Sequence, residues 1–155
     1  MRKRLSAVPA TVTLTLALHA SIALAQDLPR GQPIDQVRCA GDPAQSYALY
    51  LPSNYSPGRA WPLLMGFHPA ARGRAIVDTY RAAAEKYGYI VAASNTSRNG
   101  PWEVSERAVI AMTRDLAARF RTDEKQLYGI SHFLFPNSHF PIPISQFGLK
   151  IRNET

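Results

Sequence analysis

From residue 46 to residue 128 the chain alternates short apolar blocks with stretches of helical period, and this pattern predicts its elements in turn. Ser46-Tyr47-Ala48-Leu49-Tyr50-Leu51 alternates larger and smaller β-formers and stops at Pro52, the signature of a strand. Ser53 to Arg59, with Asn54, Pro57 and Gly58, is a turn cluster. Pro62-Leu63-Leu64-Met65-Gly66-Phe67 is a continuous apolar run bounded by Pro62 and Pro69, which suits a strand buried on both faces. Past the turn at Pro69 to Gly73, the apolar positions Ile76, Tyr80, Ala83, Ala84 and Tyr87 recur at three- and four-residue spacing. They predict a helix over Ala75 to Tyr87, closed by Gly88. Tyr89-Ile90-Val91-Ala92-Ala93-Ser94 then reads as a second buried strand.

After the polar stretch Asn95 to Pro101, the positions Val104, Ala108, Met112, Leu116 and Phe120 repeat every four residues. Glu106, Arg107, Arg114, Asp115, Arg119 and Arg121 fall mostly on the other faces, so an amphipathic helix of about four turns is expected from Glu103. Pro101 sits where a helix start tolerates it. Thr122 to Lys125 reads as a polar turn, and Gln126-Leu127-Tyr128 as the beginning of the next strand. Strand, strand, helix, strand, helix, strand is the order of an α/β protein: a mostly parallel sheet with helices on both faces. Right-handed crossovers place the loops after its strands along one edge, where ligand sites of such sheets form.

The two ends do not follow this pattern. Met1-Arg2-Lys3-Arg4 is a basic cluster, and an apolar, small-residue stretch runs from Leu5 to Ala25 and closes in Ala23-Leu24-Ala25. That is the layout of a cleaved signal peptide over residues 1–25, with Pro9, His19 and several threonines diluting it below what a membrane anchor needs. An exported chain, periplasmic or secreted and without a stable anchor after cleavage, is expected. Residues 26–45, rich in Pro, Gly, Asp and Gln, read as an N-terminal arm. Removing residues 1–25 takes away three of the 18 basic residues and none of the 11 acids. The formal charge then falls from +7 to +4, 15 basic residues against 11 acidic. The remaining Lys and Arg are scattered, with no basic strip interleaved with aromatics, so a nucleic-acid partner is not expected. Cys39 is the only cysteine, which excludes an internal disulfide, a CxxC pair and a cysteine zinc cluster. Histidines and acids show no HxxxH or HExxH spacing, and neither a metal nor a cofactor is expected.

Tyr47-Ala48-Leu49-Tyr50-Leu51-Pro52, Trp61 to Pro69 and Ala82 to Val91, in this order and spacing, resemble secreted α/β-hydrolases. The nearest group is the polyhydroxybutyrate-depolymerase-like and feruloyl-esterase-like branch, and the likeness runs from about Ser46 to Tyr128. The resemblance implies hydrolysis of a small-molecule or polymeric ester, or of a peptide in related serine peptidases, by a Ser-His-Asp triad. It also implies that one oxyanion-hole N–H comes from the loop after the Pro62 to Phe67 strand. That loop reads His68-Pro69-Ala70-Ala71-Arg72-Gly73; Pro69 has no N–H, so His68 or Ala70 is the candidate donor. Triad histidines of this fold follow the nucleophile in chain order, so His68 is expected to shape the loop and not to act as the base. Asn99 and Trp102, in the loop after the Tyr89 to Ser94 strand, are candidates to line the substrate cleft, with Trp102 also placed to anchor the next helix.

The likeness fails where the nucleophile belongs. Gly129-Ile130-Ser131-His132-Phe133 keeps two of the three fixed positions of G-x-S-x-G, but Phe133 replaces the glycine that the strained turn needs. The strand before Ser131 looks too short, and Pro136, Pro141 and Pro143 stop the helix that should follow. His132 and His139 are the only histidines after Ser131, and Glu154 is the only acid. Ser131 is therefore a nucleophile by position only, and its surroundings favour an ordinary serine. The expectation is a truncated α/β-hydrolase core over residues 46–131, its C-terminal half missing and its activity lost. Residues 132–155 form an irregular tail of out-of-frame character, and the last strand edge and one apolar helix face are left uncovered. Two alternatives stand beside this: a minimal active esterase or peptidase using Ser131, and a small non-catalytic exported binding domain.

Overall fold

In the computed structural model, which describes residues 28–131, the apolar blocks assemble into one five-stranded sheet. The elements are β1 (Pro33–Cys39), β2 (Asp42–Tyr50), β3 (Trp61–Phe67), α1 (Gly73–Tyr87), β4 (Ile90–Ser94), α2 (Trp102–Arg119) and β5 (Thr122–Ser131). The strand order is β1-β2-β4-β3-β5. β2 runs antiparallel to both neighbours, whereas β3 is parallel to β4 and to β5. The expected α/β class is what forms, as a mixed sheet whose β3, β4 and β5 are parallel. The signal-peptide segment and the tail from His132 onward lie outside the described residues.

Alternation along the central strands builds two cores. Ala48 and Tyr50 of β2 with Val91 and Ala93 of β4 meet Ile76, Val77 and Ala84 of α1. Tyr47, Leu49, Ile90 and Ala92 face the other way, onto Met112, Leu116 and Phe120 at the α2 end. One helix therefore covers each face, and β4, paired on both sides, has all five residues buried. Gly88 ends α1 in the left-handed region (φ 73°), its N–H donating to Ala84 O at 2.9 Å, the cap that its position in the sequence predicts.

Three readings of the sequence are corrected. Within residues 26–45, read as an arm, lie β1 and the start of β2, which together form a hairpin. Its period of two is broken by a register shift between Ile34 and Val37, so only Val37 and Cys39 show the inward alternation. The strand before Ser131 is not short: β5 has ten residues, and Leu127 to Ser131 pair continuously with Leu63 to Phe67. The polar turn foreseen at Thr122 to Lys125 survives as an irregularity inside that strand. There Asp123 accepts hydrogen bonds from Lys125 N (3.0 Å) and Gln126 Nε2 (2.6 Å).

The third correction concerns Asp115 and Arg119, placed on the solvent side of their helix. Asp115 is buried. Its Oδ1 accepts the Ala40 N–H (2.8 Å), and its Oδ2 accepts Tyr47 OH (2.7 Å) and Arg119 Nε (2.6 Å). The hairpin lies over this part of α2, widening its buried face beyond the four-residue stripe.

Candidate functional site

Because β3, β4 and β5 are parallel, Phe67, Ser94 and Ser131 end at one edge of the sheet. The loops that follow β3 (68–72) and β4 (95–101) face each other there. Ser94 Oγ accepts the N–H of Thr96 (3.1 Å) and of Ser97 (2.9 Å), curling the chain as it leaves the strand. The fully buried Ser97 sends its Oγ to His68 O at 3.4 Å, and Asn99 N donates to Pro69 O at 2.9 Å. Ala70 and Arg98 form an antiparallel bridge, and Ser105 Oγ donates to Arg98 O at 3.1 Å, tying the second loop to α2.

The first loop also closes on itself. Ala71 N donates to His68 O at 3.0 Å, and Ala70 N donates to Nδ1 of the His68 ring at 3.0 Å. The second bond needs an unprotonated Nδ1, so the neutral ring carries its proton on Nε2. This turn puts Ala71 at φ 55°, the one non-glycine residue with positive φ among the described residues. Gly73 then brings α1 onto the end of β4 so closely that a Cβ there would lie 2.3 Å from Ala93 O and 2.5 Å from Asn95 Oδ1. Only glycine permits that approach.

The residues singled out in the sequence are thus gathered at one edge. His68 and Ala70 form the turn after β3, with the Ala70 N–H held by the His68 ring. Asn99 contributes its backbone N–H to that turn, and its side chain is exposed. Trp102 opens α2 and is partly exposed. Ser131 ends β5 directly opposite Phe67, the residue before His68. Sequence reasoning did not single out Ser94, Ser97 and Gly73, which position the two loops. The serine-rich Ser94-Asn95-Thr96-Ser97 was the available signal.

Charge is concentrated elsewhere. Burial, and next the Asp115 carboxylate, push the Cys39 thiol up to about 12; burial and the bond to Asp115 likewise raise the Tyr47 phenol. Beside them a groove of about 740 Å³ opens between the hairpin tip and α2, lined by Ala40, Asp42, Glu103, Arg107, Arg114 and Asp115 among others. No residue of the 68–72 or 95–101 loops lines it. Among the described residues no group of three His, Cys, Asp or Glu side chains is placed to hold a metal, and no helix is long and apolar enough to cross a membrane.

No family model matches the chain, and no curated protein matches it. Among solved structures it is similar to LAE6, an α/β hydrolase enzyme from the metagenome of Lake Arreo (TM-score 0.49, 20% identity, 84% of this chain and 44% of that one). It is also similar to an esterase of Pyrobaculum calidifontis (0.48, 12%, 84% and 45%). A third is EstE1, a thermostable carboxylesterase from a metagenomic library (0.46, 14%, 82% and 46%). The chain spans less than half the length of each.

Proposed function

We propose that residues 46–131 are the oxyanion-loop part of an exported serine-hydrolase fold of the carboxylic-ester type, in the polyhydroxybutyrate-depolymerase-like and feruloyl-esterase-like branch, and that the 155-residue chain is catalytically silent. The observation that carries this reading is the register of β5 on β3, with Ser131 opposite Phe67. It sets a serine at the carboxyl end of a parallel strand, beside the loop after the third strand, from which such enzymes draw an oxyanion amide.

Acyl transfer also needs a base within reach of the serine hydroxyl and an acid to orient that base. The His68 ring is engaged through Nδ1 by the Ala70 amide, and the buried Asp115 carboxylate is occupied by Tyr47, Arg119 and Ala40. The signal-peptide layout of residues 1–25 supports export, and the substrate class is a small or polymeric ester.

The same register also favours the reading in which Ser131 works as a nucleophile, and one experiment separates the two. The full chain is incubated with a fluorophosphonate and its intact mass measured. The expected result is no adduct. A stoichiometric adduct that disappears in Ser131→Ala would overturn the silent reading and make the chain a working hydrolase.

A further inference from the structure

The outer face of α2 carries charges that the fold leaves unmatched. Arg107 holds the hairpin tip through Asp42 (2.6 and 3.1 Å), and Arg119 is taken by Asp115. Glu103, Glu106 and Arg114 belong to no ion pair among the described residues. All three line the groove of about 740 Å³ between α2 and the hairpin tip, together with Ile110 on the helix and Ala40 and Pro43 on the tip. The two acids precede Ile110 and the base follows it. Glu106 and Arg114 stand four residues before and after Ile110, so helical geometry sets them about 40° to either side of it and ~12 Å apart along the axis. Ala117, exposed and small, and Glu103 stand seven residues to either side and extend the strip.

We infer that this groove is an isologous interface for a second copy of the chain, formed by antiparallel pairing of α2 with its own copy about a two-fold axis at Ile110. A strip with acid at one end, isoleucine in the middle and base at the other is its own complement when turned end for end. The axis sets Glu106 of each copy beside Arg114 of the other, and the two Ile110 side chains meet between the two ion pairs. Packed helices lie about 8–10 Å apart, a separation that these side chains span. A parallel pair would put like charges together at both ends, and an acidic or a basic peptide would meet one end of the strip with its own sign. Arg107, on the same face, is already neutralised by Asp42 and opposes neither pair.

Sedimentation velocity of the full chain, from low micromolar to submillimolar concentration and at low and high salt, tests the interface. A monomer–dimer equilibrium is expected, weaker at high salt because both ion pairs lie at the surface. By symmetry each single reversal, Glu106→Arg or Arg114→Glu, turns both pairs into like-charge contacts and should weaken dimerisation at least about tenfold. The two reversals combined should return it to within about threefold of the wild type. Ile110→Cys, on the axis, should form a disulfide-linked dimer on mild oxidation, with Cys39 buried and out of reach. Ala117→Cys, whose two copies the antiparallel pairing holds far apart, should not. A wild-type chain that stays monomeric at every concentration overturns the interface, whether its groove is empty or taken by residues 132–155 of the same chain. So does a wild-type dimer that ignores salt, and these wild-type results decide even if no variant folds. A dimer indifferent to both charge reversals, or one linked as readily through Ala117→Cys as through Ile110→Cys, places the contact elsewhere and overturns it as well.

Discussion

Two regions of this molecule use polar groups in opposite ways. Along the seam between the β1–β2 hairpin and α2, a buried carboxylate gathers a phenol, a guanidinium and a backbone amide. Arg119 extends the knot to Arg38 O at 3.1 Å. At the carboxyl edge of the sheet the contacts among the described residues run through backbone amides, serine hydroxyls and the His68 imidazole. The seam shows what an occupied carboxylate does for a fold: both of its oxygens accept hydrogen bonds, and the group holds the hairpin and α2 together. The edge shows two loops shaped by hydroxyls and backbone amides, each holding the other's carbonyls in place.

Removing the seam's centre has the largest expected effect. Asp115→Ala leaves the Arg119 guanidinium, the Tyr47 hydroxyl and the Ala40 amide without their acceptor, and should lower stability by about 3–5 kcal/mol in urea titrations. The same variant should expose Cys39 to alkylation, because the hairpin loses its tie to α2. A loss below about 1 kcal/mol would mean that the seam does not hold the hairpin. Trimming the network without removing the charge is milder: Tyr47→Phe should cost about 1.5–3 kcal/mol, the range for a bond to a charged group. Tyr55, equally buried between Trp61 and Phe120, is its control. Its hydroxyl has no partner among the described residues, so Tyr55→Phe should be neutral or stabilise by about 1 kcal/mol.

At the edge, Gly73→Ala pushes a methyl into Ala93 O and should cost about 1–3 kcal/mol by moving α1 off the end of β4. Its effect on amide exchange should centre on residues 68–73 and 94–97 and leave Ala40 unchanged. The smallest effect expected is at Ala71, whose φ of 55° is unfavourable for any residue with a Cβ. Ala71→Gly relieves that strain while adding freedom to the unfolded chain, for a net gain below about 1 kcal/mol.

The sequence made the parallel core legible because its signals are local. Buried strands read as apolar runs, α2 as a four-residue repeat, and α1 as a helical repeat closed by a glycine. β1 escaped because the shift between Ile34 and Val37 breaks the period of two, and the full length of β5 because Asp123 to Gln126 hides the same strand behind a polar irregularity. Asp115 read as a surface acid because nothing in its own helix reports that the hairpin lies over it. The edge was legible as a place but not as a bonding pattern. Chain order put His68, Ala70, Asn99 and Trp102 in loops after strands, yet the capture of the Ala70 amide by the His68 ring depends on a positive φ at Ala71 that no residue type announces there.

The function proposed for the edge depends on where β5 delivers Ser131. The direct test is the cross-strand pairing of β3 and β5, measured by backbone nuclear Overhauser contacts in the full chain. Contacts linking Leu64 with Tyr128, Gly66 with Ile130 and Phe67 with Ser131 are predicted, together with slow exchange of the bonded amides of β5. Their absence, with Ser131 exchanging as an unfolded chain does, would separate the serine from the His68 loop and contradict the proposed function at its base.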